Sequence, residues 1–170
     1  MSDDIRSIDW ERGFLHDLLG VLEAHSSNVR KAAITVELGL EDDAFITGVA
    51  YVACQRYITS SCGWLRVPNH TALLAGPRLN PEVTYAEALN AAADYWKHAD
   101  AWNDPAEATR SRNTRRVLTA MGLDPNDPYT GHDLFDALGV RDIRDFVPIL
   151  ESWRSEVWAG VQSAEATTHG

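Results

Sequence analysis

The segment from Leu40 to Leu65 constrains the fold most, because its apolar side chains lie on nearly every side of the helix that they predict. Apolar residues recur there at intervals of three and four, which is helical periodicity, yet no continuous polar face remains. Such a helix is stable only where neighbouring elements cover it, so the segment predicts a long helix at the centre of a bundle. Its expected main stripe is Phe45, Ile46, Val49, Val52, Ala53, Arg56 and Tyr57. We expect a carboxylate partner for Arg56, because a buried guanidinium group needs one.

Helical periodicity continues over most of the remaining chain. The predicted helices run from Asp9 to Ser26, from Thr84 to about Trp102, from Pro105 to Met121, from Thr130 to Leu138 and from Arg141 to Val161. The stripe expected on the first helix is Trp10, Phe14, Leu15, Leu18, Leu19 and Leu22. Thr84 and Glu87 have the spacing of a capping box, and Gly122 and Gly139 are typical of helix C-termini.

Three stretches are less regular. We favour a short helix over Lys31–Leu38, although its β-branched residues also suit extended backbone. Residues 66–83 contain three prolines and predict an irregular connection between helices. Pro148 predicts a kink or a break in the last helix, because proline removes a hydrogen bond from a helix interior.

The length of the chain suits one domain. Its 170 residues contain no internal repeat and no linker. We therefore predict one all-α domain, a helical bundle of roughly five to seven helices over residues 1–162, followed by a flexible tail at 163–170. No run of about eighteen apolar residues predicts a membrane span, and the acidic first residues do not predict a secretory signal. Cys54 and Cys62 lack redox or zinc spacing, so we expect buried free thiols and a cytoplasmic protein.

The net charge of −10 bears on possible partners. An acidic surface repels phosphate backbones, so it disfavours binding to RNA or DNA. It suits a basic protein partner, although a charged surface also serves solubility alone. An oligomer is also compatible with this sequence.

The sequence "DYWKHADAW", residues 94–102, carries the densest set of reactive and aromatic side chains. On a helix, the buried stripe would contain Tyr85, Leu89, Ala92, Trp96 and Ala99. The opposite face would contain Glu87, Asn90, Asp94, Lys97 and His98. Asp94 and His98 are four residues apart, Lys97 and Asp100 are three apart, and Trp102 follows one turn after His98.

This face has three interpretations. It can be an ordinary exposed face with two ion pairs. It can be a catalytic site in which Asp94 orients His98 as a general base and Lys97 assists. It can also be a docking surface in which Trp102 and Asp100 contact a partner, because tryptophan is a frequent interface anchor.

A cluster of arginines follows in "RSRNTRRVL". Arg110, Arg112, Arg115 and Arg116 lie within seven residues of an otherwise acidic chain. They can pair with the surplus carboxylates, or Arg112, Arg115 and Arg116 can bind a partner or a phosphate group.

Metal and cofactor motifs are absent from the sequence. No two of the six histidines stand three or four residues apart, and no Glu-x-x-His pair occurs. The chain also lacks the glycine-rich nucleotide motifs and the Gly-x-Ser-x-Gly motif. We therefore expect neither a metal ion nor a cofactor.

The stretch "LNAAADYWKHADAW", residues 89–102, resembles the core helix of small helical bacterial proteins of the HEPN type. Those proteins carry an Asn or Asp and a Lys-His pair on one helix, and they often belong to toxin–antitoxin or phage-defence loci. The resemblance covers about Thr84 to Arg116 and implies an all-α fold with a role in such a locus.

HEPN ribonucleases also carry an arginine followed, after four to six residues, by a histidine. No arginine precedes His98 at that spacing, and the pairs Arg12–His16 and Arg66–His70 are one residue too close. The resemblance therefore implies a catalytically silent relative, such as an antitoxin-like protein.

Together these features predict a cytoplasmic protein that binds another protein, through Asp94, Lys97, His98 and Trp102, with Arg112, Arg115 and Arg116 nearby. The alternative is a metal-independent ribonuclease with His98 as general base and Lys97 with Arg112 or Arg116 as a phosphate clamp. A structural subunit of a larger assembly is a third possibility.

Overall fold

The computed structural model describes residues 5–32, 36–102, 111–127 and 130–168, and within those ranges its regular secondary structure is helical, without strands. The prediction of an all-α bundle is thus confirmed. The helices are α1 (Arg12–Ala32), α2 (Val36–Leu65), α3 (Asn69–Ala72), α4 (Tyr85–Lys97), α5 (Arg112–Ala120), α6 (Thr130–Ala137) and α7 (Phe146–Thr168). Short 3₁₀ helices cover Ile5–Ser7, Ala99–Ala101 and Ile143–Asp145. No helix within these ranges is long and apolar enough to cross a lipid bilayer.

Helix α2 lies at the centre of the bundle, as its apolar composition predicts. Helices α1 and α4 pack along it, and α3, α6 and α7 also contact it. Its buried residues are Ile46, Thr47, Ala50, Tyr51, Cys54, Tyr57, Ile58, Ser61, Cys62 and Leu65. Covering the helix from several directions removes most of its apolar surface from water, which is the main stabilising term for such a core.

The predicted face of α2 is partly wrong. Phe45 and Arg56 are exposed, whereas Ala50, Cys54 and Ile58 are buried. A helix that is apolar nearly all round does not itself determine which side faces solvent, because the packing of its neighbours decides that. Arg56 still lies 3.8 Å from a carboxylate oxygen of Glu11, but as a surface pair.

Helix α1 begins at Arg12 and continues to Ala32, beyond the predicted end. Leu15 and Leu19 of its stripe are buried against the core, whereas Trp10 and Phe14 are exposed. The separate short helix over Lys31–Leu38 is not found, because the described residues on its two sides belong to α1 and α2. Residues 33–35 of that prediction lie outside the described ranges.

Arg154 of α7 holds the N-terminal segment against the bundle. Its guanidinium group is buried and donates hydrogen bonds to the backbone carbonyls of Arg6 (3.0 Å), Ser7 (3.3 Å) and Ile8 (2.9 Å). Asp9 lies 3.8 Å from it and accepts a hydrogen bond from the Tyr57 hydroxyl. Bonds from a charged donor are among the stronger ones in proteins, so this arginine positions residues 5–9.

The connection between α2 and α4 is ordered and contains the short helix α3. The Trp153 indole donates a 2.8 Å hydrogen bond to the carbonyl of Ala72. Gly76 has a φ of +85° and passes directly over Trp153, where a Cβ atom would clash. At the end of this connection, Thr84 and Glu87 form the predicted capping box of α4.

The ends of the later helices follow local signals. Gly122 and Gly139 have positive φ after α5 and α6, as predicted. The predicted break at Pro148 is wrong, because this proline is the third residue of α7, where a backbone N–H has no acceptor within the helix. Helix α7 continues to Thr168, and flexibility of the tail stays a prediction. The predicted helix start at Pro105 lies outside the described residues.

Gly48 provides a test of the packing of α4 on α2. A Cβ atom at this position would overlap the indole ring of Trp96, whereas one at Gly20 of α1 would meet no atom within 4 Å. We expect Gly48→Ala to lower the free energy of unfolding by about 1–3 kcal/mol through overpacking. Gly20→Ala should raise it by about 0.5–1 kcal/mol. Urea denaturation measures both, and a Gly48→Ala variant as stable as the wild type would contradict this packing.

Candidate functional site

The polar face of α4 forms a hydrogen-bonded network with α2. Gln55 donates to Asp94 Oδ1 (2.8 Å) and to Asn90 Oδ1 (3.0 Å), and it accepts a 2.7 Å hydrogen bond from Lys97 Nζ. Lys97 Nζ also lies 3.0 Å from Asp94 Oδ1, and Asn90 donates to the second oxygen of Asp94. The network joins two helices, and its donors and acceptors satisfy one another.

His98 does not join this network. The α-helix ends at Lys97, His98 is its C-cap residue, and the chain tightens into the 3₁₀ helix Ala99–Ala101. Because His98 leaves the regular helix, the four-residue spacing from Asp94 no longer brings the two side chains together. The imidazole is exposed, and among the described residues it makes no hydrogen bond or ion pair. The predicted Asp94–His98 pair is therefore not formed.

Trp102 is buried and not an exposed anchor, which corrects the predicted docking residue. Only 3% of it is exposed. Its indole donates to the carbonyl of Pro125 and packs edge-on against Tyr95 at 4.8 Å between ring centroids. These contacts hold the turn after α4 against the segment that follows α5. The side chain of Asp100 lies outside the described residues.

The arginine cluster divides into structural and exposed members. Arg115 donates to the carbonyl of Trp102 (2.6 Å) and to Asn126 Oδ1 (2.8 Å), and it lies 4.6 Å from the centre of the Trp102 ring. Arg116 pairs with the buried carboxylate of Glu87 at 2.9 Å. Arg112 is exposed and has no partner among the described residues. Arg110 lies outside them.

These pairings join α5 to residues near both ends of α4. Arg115 at the start of α5 reaches the end of α4, and Arg116 reaches Glu87 near its beginning. Arg115 and Arg116 are therefore already engaged by protein groups. Only Arg112 remains available to a phosphate or a partner within the described part of this cluster.

A different surface, which the sequence analysis did not single out, exposes large apolar side chains next to one another. Phe14 is 70%, Ile5 58%, Trp10 57% and Trp64 45% exposed. The rings of Trp10 and Trp64 contact each other at 6.4 Å between centroids. We call Ile5, Trp10, Phe14 and Trp64 the aromatic surface. Trp10 and Phe14 have the spacing of a helix stripe, and that spacing led to the wrong expectation that they are buried.

Two cavities border the aromatic surface. The larger, about 570 Å³, is lined by Ile5, Arg6, Arg56, Thr59, Ser60, Gly63, Trp64 and Arg66, and we call it the arginine cavity. The smaller, about 220 Å³, is an apolar groove between α1 and α2, lined by Glu11, Phe14, Leu15, Leu18, Val49, Val52, Ala53, Arg56 and Tyr57. Arg56 lines both cavities.

Arg66 has an unusual backbone conformation in the arginine cavity. It has a φ of 58°, the one positive φ among the described residues other than glycine. It follows α2 in a Schellman motif, in which Val67 N donates to Cys62 O (3.1 Å) and Arg66 N to Gly63 O (3.3 Å). Glycine is usual at this position, and a side chain there costs about 1–2 kcal/mol. No sequence pattern reveals this feature, since it depends on where α2 ends.

No protein-family description, no curated protein and no solved structure matches this chain. Within the described ranges, no group of three or more His, Cys, Asp or Glu side chains is arranged to hold a metal ion.

Substitutions at Arg115 and Arg112 test the division of the arginine cluster. We expect Arg115→Ala to lower the free energy of unfolding by about 1.5–3 kcal/mol, because it removes charge-assisted hydrogen bonds to a buried turn. Arg112→Ala should change it by less than about 0.5 kcal/mol, as is usual for an exposed residue. Chemical denaturation distinguishes them, and equal stabilities would show that the Arg115–Trp102 contact does not hold the turn.

The cysteines provide a second test. Cys54 and Cys62 are buried free thiols, as expected, and burial raises the pKa of the Cys62 thiol to about 11 and also raises that of Cys54. A raised pKa keeps the thiol protonated at neutral pH, and the thiolate is the reactive form. We expect neither cysteine of the folded protein to react readily with a colorimetric disulfide reagent at about pH 8. Both should react in concentrated guanidinium chloride; rapid reaction of the native protein would contradict their burial.

Proposed function

We propose that this protein acts by binding another protein through the aromatic surface. The observation that carries the proposal is the contact between two half-exposed tryptophans. Ile5 lines a cavity together with Trp64, and Phe14 is exposed on α1. Grouped exposed apolar side chains leave a hydrophobic surface in water, and such patches are typical of docking sites. Tryptophan and arginine are the residues that most often dominate binding energy at interfaces.

The polar face of α4 supports the proposal less well. Its expected aromatic anchor, Trp102, lies in the core, and Asp94 and Lys97 satisfy each other and Gln55. Breaking these hydrogen bonds to contact a partner would cost about as much free energy as the new hydrogen bonds would contribute. We therefore move the proposed docking surface from α4 to α1 and α2.

A ribonuclease site at His98 has less support than protein binding. That reaction would need Asp94 to orient the imidazole, and the Asp94 carboxylate instead accepts from Gln55, Asn90 and Lys97. Of the two arginines predicted for the phosphate clamp, Arg116 is paired with Glu87, which leaves Arg112. In addition, the net charge of −10 opposes the approach of RNA.

The net charge and the cysteines indicate which kind of partner and which cellular location suit this binding. Because this chain is acidic, long-range electrostatic attraction favours a partner protein whose overall net charge is positive. The free, buried cysteines are consistent with a cytoplasmic location. An antitoxin or immunity role, which the HEPN resemblance implies, would be one form of such binding.

The double variant Trp10→Ser/Trp64→Ser tests the proposal. We expect it to stay folded, because each side chain is about half exposed and lies outside the core. It should bind the partner at least about tenfold more weakly, as removal of two hot-spot residues does. The measurement is quantitative mass spectrometry of proteins retained from cell extract on the immobilised wild type and variants. The matched control is Val21→Ser/Leu74→Ser, which removes two side chains of similar exposure elsewhere.

Loss of one stoichiometric protein from the tryptophan variant alone would support the proposal. Equal retention by wild type and both variants would contradict it. Light scattering of the purified wild type and the tryptophan variant tests for self-association. If only the wild type forms a dimer, the partner is a second copy of this chain and not a different protein.

A further inference from the structure

We infer that the arginine cavity binds a carboxylate group of a partner peptide segment, and that Arg66 recognises it. The inference rests on the proposed function, because the cavity borders the aromatic surface: Ile5 and Trp64 belong to both. A segment seated on the two tryptophans therefore passes the mouth of this cavity.

The charges in the cavity leave Arg66 as the cation without a partner. Arg6 forms a bidentate pair with Glu165 at 2.7 and 3.0 Å and lies over the ring of Trp158. Arg56 lies 3.8 Å from Glu11, whose carboxylate also accepts from Ser60. Arg66 is exposed and makes no side-chain hydrogen bond or ion pair among the described residues. The Arg66 guanidinium group therefore has one positive charge without a counter-charge, which can bind one carboxylate group.

The structural role of Arg66 involves only its backbone, so its side chain is free to take part in binding. The Schellman motif uses the Arg66 N–H and the left-handed φ, and neither depends on the side chain. Glycine would make the same hydrogen bonds without the strain of a Cβ atom. The fold alone therefore does not account for an arginine here, since a cation at a helix C-terminus can also be placed in the last turn without left-handed backbone.

The surroundings of Arg66 favour a peptide over a nucleic acid. Trp64, Ile5 and the adjoining groove with Phe14 and Val49 offer apolar surface, so the matching segment carries an apolar residue beside the acidic one. A phosphate chain needs several unpaired cations along its path, and the described part of this cavity supplies one. A single charged contact surrounded by apolar anchors is instead the pattern of a protein interface.

The test uses a random dodecapeptide phage library selected on the immobilised full chain. Selected peptides are synthesised with a fluorescent label, and their dissociation constants are measured by anisotropy. We expect an Asp or Glu next to an apolar residue in the selected sequences. Arg66→Gly should weaken their binding at least about tenfold, the effect of losing a charge-assisted hydrogen bond, while its melting temperature stays equal or rises.

Two controls isolate the proposed contact. Arg112→Ala removes the same charge from an exposed arginine that does not line the arginine cavity, and it should leave the dissociation constant unchanged. Replacing the acidic residue of the peptide by its amide should weaken binding to the wild type but have no further effect on Arg66→Gly. Arg66→Gly is expected to bind the acidic peptide and the amide peptide equally only if the Arg66 side chain contacts the acidic residue in the wild type.

The remaining outcomes separate this inference from the proposed function. Peptides that need Trp10 and Trp64 but are insensitive to Arg66→Gly would overturn the carboxylate contact and leave protein binding standing. Peptides insensitive to both changes would overturn both. Failure of the library to enrich any sequence over an uncoated surface would overturn the inference, as would Arg66-dependent binding of a labelled single-stranded RNA dodecamer in place of acidic peptides.

Discussion

The rest of the structure depends on the need to cover α2. This helix is apolar nearly all round, so α1, α4 and α7 must each bury part of it. Coverage is incomplete between α1 and α2, where an apolar groove reaches Val49 and Val52, and at the end of α2, where Trp64 stays half-exposed. The aromatic surface is therefore the part of the central helix and its neighbour that the bundle leaves unpacked.

Side-chain donors hold the irregular segments onto this bundle. A buried carbonyl at a helix end or in a turn needs a hydrogen-bond donor, and in three places a neighbouring helix supplies one. Arg154 binds the carbonyls of residues 6–8, Trp153 binds that of Ala72, and Arg115 binds that of Trp102. The first of these contacts places Trp10 beside Trp64, so a buried polar group on α7 shapes the surface proposed for binding.

The sequence predicts local features well and the faces of helices poorly. The capping box at Thr84 and the stops at Gly122 and Gly139 were predictable, because each depends on residues within one turn. The burial of Trp102 was not predictable, because the helix ends a turn early and a distant carbonyl, that of Pro125, accepts its indole N–H. The same early end separates His98 from Asp94.

The sequence by itself determined that this protein is an all-α bundle around one long apolar helix, because periodicity and caps are properties of neighbouring residues. Only the tertiary structure decided which side chains reach solvent. It buried Trp102, paired Arg116 with Glu87, and left Trp10, Trp64 and Arg66 exposed. The physical reason is that exposure depends on how far neighbouring helices cover a residue, and coverage is set by contacts between segments far apart in the chain.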